Sequence, residues 1–442
     1  MNSALRTPFI AVRELARRLD EAPRDYDRLL DLAGDRNFVL LGEATHGTHE
    51  FYRMRADITR RLLSELDFDA VAIEGDWPDA WRVNRFVGGD ADGEAATALG
   101  DFERFPQWLW RNREVLDFIG WLRGFNTRLP AERKVGFYGL DLYSLYRSAE
   151  QVIGYLQSVD PEQAQIARRR YTALDHVRDP QSYGYEAAMS LRPSAQQAVR
   201  LQLQELRERA GGYLEGGGLT ALDAQFAAER NAAAVVNAEV YYRAMFGSRI
   251  NTWNLRDAHM RDTLFALAEH RLQRGGSGRI IVWAHNSHLG DARATEMHRQ
   301  GEWNLGQLVR EAAGSAALLV GFTAYTGHVS AASRWDGPVE QKWLRPALPD
   351  SYEHLFHSTR LDRFFLPLVG PAAAPLSGAM LERAVGVIYV PHSERGSHYF
   401  SACLAAQFDA IFHLDETAAV EPLQAPGSWH ERETVQTPVL SG

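Results

Sequence analysis

Residues 37–48 read Asn-Phe-Val-Leu-Leu-Gly-Glu-Ala-Thr-His-Gly-Thr. The first five are almost continuously apolar, as in a strand buried on both faces. The run ends in a loop that carries a carboxylate, Glu43, and an imidazole, His46, between Gly42 and Gly47, which permit tight turning. Thr48 then stands where a helix N-cap belongs, ahead of a segment whose Phe51, Met54, Ile58 and Leu62 recur at helical spacing. Strand, polar loop and amphipathic helix follow one another within thirty residues.

The same short apolar runs recur at 70–73, 135–138, 279–284, 317–322 and 385–390, with helical patterns at about 48–66, 102–126, 145–158, 194–210, 220–246 and 251–274. Such alternation predicts an α/β fold: a central, mostly parallel sheet covered by helices. The interval between the third and fourth runs is almost wholly helical, and it is expected to form an insertion that caps the active-site cleft. The predicted organisation is a first part of the core over 1–145, the helical cap over 146–275, a second part of the core over 276–423 and a loose tail over 424–442. Gly-rich residues 211–218 follow no strand and read as a turn between helices rather than a phosphate loop.

Composition narrows the function. The 442 residues are 45% hydrophobic and 24% charged with a net charge of −9, which suits a globular chain and not one built to grip nucleic acid. The single cysteine, Cys403, rules out an internal disulfide and any four-cysteine zinc site. It falls in a late stretch read as helical, with no catalytic motif beside it. Histidine, with fifteen copies, and carboxylates are left to carry any chemistry. No run approaches the roughly 18 apolar residues of a membrane span. The N-terminus, with Val12, Leu15, Ala16 and Leu19 on one side, reads as a surface helix and not a signal peptide. A soluble, cytoplasmic protein is the expectation.

The strand ends hold the candidate site. The first run delivers Glu43 and His46, the second Glu74, the third Asp141, and the fourth His285-Asn286-Ser287-His288. Ligands of open α/β sheets bind at the carboxyl ends of strands, so these groups would converge on one rim. Arg55, bordering the inward stripe of its helix, can hold Glu43 or Glu74 ionised. Two chemistries use such a set. A carboxylate-oriented imidazole can take a proton from water, while a second imidazole or the arginine stabilises the oxyanion. Alternatively His46, Glu43, Glu74, His285 and His288 can bind a divalent metal such as Zn or Mn. No G-x-S-x-G motif is present, and Ser287 is a weak candidate nucleophile. Arg256, Asp257 and His259 in Leu-Arg-Asp-Ala-His-Met are candidates to face the cleft, as are His398 and Tyr399 in the segment containing His392. His49 falls in the first helical turn. Trp108, Trp110, Trp253 and Trp335 divide between core packing and an apolar pocket lining.

These residues carry a resemblance. Leu-Gly-Glu-Ala-Thr-His-Gly-Thr (41–48), the Ile73-Glu74 strand end and Ala-His-Asn-Ser-His (284–288) together resemble the erythromycin esterase family. FYGLDLYSLYRS (137–148), NLRDAHM (254–260) and ERGSHYF (394–400) extend the likeness to most of the chain, and the C-terminal blocks are similar to a broad bacterial branch described as succinoglycan-biosynthesis-like. The resemblance implies a hydrolase that opens a macrolide lactone or cleaves an ester by attack of water. His46 would be the general base, with Glu43, Glu74, Arg55, His285 and His288 around it; from their own positions in the sequence, Asp141, Arg256, Asp257, His398 and Tyr399 are expected to face the substrate. The expected partner is a small-molecule ester or lactone, with no nucleic acid and no membrane, and no cofactor is expected unless a divalent metal such as Zn or Mn occupies the site. The wider superfamily leaves two alternatives: a metal-dependent hydrolase at the same site, or a non-catalytic binding or haem-carrying relative. No residues of the helical segment match a macrolide pocket.

Overall fold

All but one of the six apolar runs become strands of a single sheet. The computed structural model describes residues 3–174, 179–247 and 250–424, and of the tail expected over 424–442 all but Gln424 lies outside them. The strands in chain order are β1 (Arg17–Arg18), β2 (Phe38–Leu41), β3 (Ala70–Asp76), β4 (Gly136–Asp141), β5 (Ile280–Trp283), β6 (Ala317–Ala331), β7 (Glu340–Leu344), β8 (Arg363–Pro367), β9 (Met380–Arg383), β10 (Tyr399–Ala402) and β11 (Ala410–Thr417). The main sheet runs β1-β8-β11-β6-β2-β5-β3-β4, with β7 also paired to β6, while β9 and β10 form a separate ribbon. The six strands from β11 to β4 are mutually parallel, and β1, β7 and β8 add antiparallel edges.

Alternation along each strand explains the continuous apolarity. Val39, Leu41, Val71, Ile73, Ile281 and Trp283 point to one face, where they meet helices His49–Glu65, Trp77–Gly88 and Arg113–Asn126. Phe38, Leu40, Ala72, Ile280 and Val282 point to the other, against Met260, Leu264 and Leu267 of helix Thr252–Gln273. Both faces of β2, β3 and β5 are covered, so on these strands no position is left for a polar residue until the strand ends.

The run at 385–390 is the exception. It is not a strand of the sheet but a strap laid over the carboxyl ends of β2 and β6. Val385 N donates to Ala44 O at 2.7 Å, His46 N donates to Val385 O at 3.3 Å, and Tyr389 N donates to Ala332 O at 3.0 Å. Its apolar residues are accounted for by Val385 and Tyr389, which are fully buried against the sheet end. The helical pattern over 102–126 is also broken, into a 3-10 turn at Gln107–Leu109 and a helix at Arg113–Asn126. Cys403 precedes only a one-turn helix, Leu404–Gln407.

Between β4 and β5 the chain leaves the sheet. Helices Leu145–Val159, Pro161–Tyr171, Pro180–Ala188, Gln196–Glu208 and Gly218–Ala244 enclose a core of their own that includes Val152, Leu156, Val199, Leu206 and Val235. Gly184 lets its helix approach Tyr242 so closely that a Cβ there would strike the tyrosine backbone. Part of the glycine-rich turn, Ala210–Leu214, is itself a short helix. Asn251 then caps helix Thr252–Gln273 by accepting from Trp253 N and Asn254 N. No helix among the described residues is long and apolar enough to cross a membrane.

His259 joins the two long helices. Its Nδ1 lies 2.8 Å from Asn237 Nδ2, so it accepts there and the ring is neutral. Burial lowers its pKa from 6.5 to about 4, only partly offset by Asp141. An unfolded histidine takes its proton near pH 6.5, so this site favours unfolding increasingly as pH falls from 6.5 toward 4. The effect reaches about 3 kcal/mol, at about 1.4 kcal/mol per pH unit. Thermal melts of wild type should show a steep loss of Tm between pH 7 and pH 5, and His259→Gln should flatten that slope. An unchanged slope in the variant would reject this assignment.

Candidate active site

Register sets the site's height. Leu41, Trp283 and Ile73 lie side by side on β2, β5 and β3, so Glu43, His285 and Glu74 emerge one or two residues later on the same rim. Two glycines make the first loop possible. A Cβ at Gly42 would fall on the Asn286 side chain, and one at Gly47 on the backbone of Ser330.

Glu43 is 1% exposed and fully engaged. Its Oε1 accepts from His46 Nδ1 at 3.0 Å, and its Oε2 accepts from Arg55 Nη2 at 2.7 Å. Of the two carboxylates offered to Arg55 by the sequence, Glu43 is the one it holds. The guanidinium is completely buried, with its Cζ 4.5 Å from the Tyr52 ring centroid and 5.3 Å from that of Trp283. Two aromatic faces take the place of solvent around it. Since an ionised carboxylate can only accept, the proton of a neutral His46 sits on Nδ1 and the lone pair on Nε2. Tyr52 O–H donates to the His46 carbonyl at 3.0 Å and helps to fix the loop.

His285 faces His46, with ring centroids 4.8 Å apart. Its Nδ1 accepts from Ser287 N at 3.2 Å and lies 2.8 Å from Ser287 Oγ, which leaves the proton on Nε2. That Nε2 is buried and makes no well-aligned hydrogen bond, its one nearby acceptor being the Ala44 carbonyl. Burial, reinforced by neighbouring His46, lowers the ring to about pKa 3, so it stays neutral. One imidazole thus presents a lone pair and its neighbour an N–H.

A second group stands beside them. Glu74 accepts from Arg256 Nη2 at 2.7 Å and from His285 N at 2.9 Å. Burial would raise its pKa, but His288 and Arg256 hold it well below the usual carboxylate range. Arg256 also clamps Asp141, through Nε at 3.0 Å and Nη2 at 2.6 Å. His288 Nδ1 donates to Asp257 at 2.9 Å, and Asp257 in turn accepts from Leu305 N at 2.7 Å. Burial opposes a charge on His288, yet Asp257 and Glu74 outweigh it and raise the ring to about 9. The 2.9 Å approach of Arg256 Nη1 to Nε2 suits a neutral ring, but three buried carboxylates face one guanidinium. A proton on His288 supplies the second positive charge that they lack.

Asp141, Arg256 and Asp257 therefore turn toward one another and toward Glu74 and His288. His398 and Tyr399 lie apart from this cluster, on the wall of a cavity of about 440 Å³ that also includes Ser287 and Trp253. His398 Nε2 accepts from Val390 N, and Tyr399 Oη accepts from Leu348 N, both at 3.2 Å. Trp253 stacks on His288 at 4.3 Å, whereas Trp108 and Trp110 are buried in the core and Trp335 is exposed. His49 is bonded to Glu114, and His392 is at the surface. Sequence reasoning missed Asp76, Arg104 and Tyr143. Arg104 donates to Asp76 at 3.0 Å, and the Tyr143 ring lies between the guanidiniums of Arg104 and Arg256. Asp76 closes the same Glu-Gly-Asp strand end that gave Glu74 and was open to notice, but Arg104 falls in the stretch read as helical over 102–126, which is a loop at that point.

The set does not fit a metal ion as arranged. Among the described residues no group of three His, Cys, Asp or Glu side chains is placed to hold one. Glu43 is spent on His46 and Arg55, Glu74 on Arg256 and the backbone, and His288 on Asp257.

Known proteins agree with this fold. The family model for erythromycin esterase matches residues 63–417. An Escherichia coli protein, erythromycin esterase type II, is 23% identical over 435 residues, spanning 91% of this chain and 94% of its own. A Bacillus cereus protein of solved structure superimposes with a TM-score of 0.76 at 21% identity, covering 95% of this chain and 99% of that one. A structure described as a succinoglycan biosynthesis protein has the same TM-score and coverage at 20% identity. An erythromycin esterase mutant in its open conformation aligns at 0.63 and 16% identity, over 90% of this chain and 95% of its own. With the match extending over most of its length, the chain belongs to the erythromycin esterase family.

Proposed function

We propose that this protein hydrolyses an ester or lactone of a small molecule by general-base activation of water at His46. The observation that carries the reading is the buried relay Arg55–Glu43–His46 beside the neutral N–H of His285. His46 Nε2 takes a proton from water as the oxygen attacks the carbonyl carbon. The carbonyl oxygen becomes an oxyanion, and the His285 Nε2–H, drawn away from its loose contact with the Ala44 carbonyl, donates to it. Collapse breaks the C–O bond, and the leaving alkoxide takes the proton back from His46. The products are an acid and an alcohol, or one hydroxy acid if the substrate is a lactone such as a macrolide ring. Glu74, through the His285 backbone, and Arg256 position the second imidazole, and the helical segment between β4 and β5 closes one side of the cleft.

The direct test is mass spectrometry of a macrolide and ester panel incubated with wild type and His46→Ala. Wild type should add one water to at least one compound, and the variant should be slower by about 10²- to 10⁴-fold with its circular dichroism unchanged. No turnover by wild type, or full turnover by the variant, would sink the reading and leave a binding protein, haem-carrying or otherwise. Chelators should leave the rate unchanged. Loss of activity with a chelator, restored by Zn or Mn, would instead support the metal-dependent alternative.

A further prediction concerns His288, raised from 6.5 to about 9. Its folded-state proton contributes stability that is complete below about pH 6.5 and is lost as pH rises through about 9, up to about 3 kcal/mol. His288→Asn should therefore lose less Tm than wild type between pH 7 and pH 10. Equal losses would show that the ring is neutral throughout.

A further inference from the structure

The cavity of about 440 Å³ shares its walls with the imidazole cluster. Ser287, on one wall, touches His285, and Trp253, on another, stacks on His288. Its volume lies in the range of small-molecule sites. The rest of its lining has a consistent chemical bias. Trp253, Trp303, Tyr399 and Phe400 supply aromatic surface, and no lysine or arginine reaches it. The acids of the lining are Glu296 and Glu302, both half-buried. Glu302 receives only a long contact from Asn251 Nδ2 at 3.4 Å, and no ion pair among the described residues engages either carboxylate. Gln407, 1% exposed and also in the lining, has an Oε1 with no donor. The remaining polar groups are largely used up: Thr295 Oγ1 donates to Ala292 O, Ser397 Oγ donates to Ser393 O and His398 Nε2 accepts from Val390 N. Trp303 Nε1, the Tyr399 hydroxyl and the amide of Gln300 keep donors of their own, so what sets the cavity apart is charge: two carboxylates and no cationic side chain in the lining.

We infer that this cavity is a charge-selective subsite that takes a protonated amine carried on the non-reacting part of the substrate, and that it turns away anionic esters. An ammonium group would donate to Gln407 Oε1, be attracted by Glu296 and Glu302 and lie against aromatic faces whose quadrupoles favour cations. An anion would meet two carboxylates with no cationic side chain in the lining to compensate them. This assignment rests on the hydrolase reading for its role, but the binding it describes needs no turnover.

The experiment is calorimetric titration with three ligands of similar size: benzylammonium, benzyl alcohol and phenylacetate. Wild type should bind benzylammonium at least about tenfold more tightly than the alcohol, with phenylacetate weakest. E296Q/E302Q should bring the cation to the level of the alcohol while moving the alcohol less than about twofold. Raising salt from 0.02 to 0.5 M should weaken the cation alone in wild type, a control that does not depend on a variant folding. Equal binding of all three ligands, a preference for phenylacetate, or a cation affinity indifferent to both the substitutions and salt would overturn the subsite. Cation-selective binding without hydrolysis of any ester would overturn the hydrolase reading and leave the subsite standing.

Discussion

The insertion of β5 between β2 and β3 is the constraint on which the rest depends. The chain lays down β2, β3 and β4, spends well over a hundred residues in helices and then returns to pair both neighbours of a slot left open in the sheet. Because Leu41, Trp283 and Ile73 share one level, three loops begin at one height and deliver Glu43, His285 and Glu74 together. A slip of one residue would exchange the two faces of β5 and put Trp283 on the wrong side of the sheet. Trp283 is held by its core neighbours and by Nε1, which donates to Thr59 Oγ1 at 3.0 Å. The same ring forms one wall of the slot occupied by Arg55. Core packing and the geometry of the candidate site therefore share a side chain.

The site keeps several charges out of water, which hydrophobic replacements of the same shape would not require. Arg55 answers Glu43, and Arg256 with His288 answers Glu74, Asp141 and Asp257. The result is a pair of imidazoles with opposite assignments, one with its lone pair outward and one with its proton outward. Neither assignment is intrinsic to histidine. Each is imposed by the partner of Nδ1, a carboxylate for His46 and a backbone N–H for His285.

Much of this was legible in the sequence where burial leaves a mark. Strands covered on both faces write themselves as apolar runs, and a charged residue ending such a run has few reasons to be there, so Glu43, His46, Glu74 and His285 could be found. Polarity hid β8 and β11. Residues 363–367 begin with an arginine, and 410–417 carry His413, Asp415 and Glu416, because these strands lie toward the antiparallel side and His413 finds Thr323 and Asp415 inside the protein. The 385–390 run misled for the opposite reason: it is apolar because it covers the end of the sheet, not because it belongs to it. The partners of Arg256 were hidden by distance. Glu74 lies 182 residues before it, and no local spacing signals such a contact.

The strap over the first loop has a consequence for how the protein is made. The backbone around Ala44 and His46 is pinned by Val385, and the nearby Gly47 carbonyl accepts from Ser330 and Val420. The proposed general base is residue 46, yet the contacts that give its loop a shape come from residues 330, 385 and 420. On a ribosome, the helix behind Arg55 can form early, but the loop cannot settle until the C-terminal segment has emerged. The loop acquires this geometry only once residues 385–420 have been made, and a chain cut short before the strap would retain Glu43, His46, Glu74, His285 and His288 without the frame that orients the first loop.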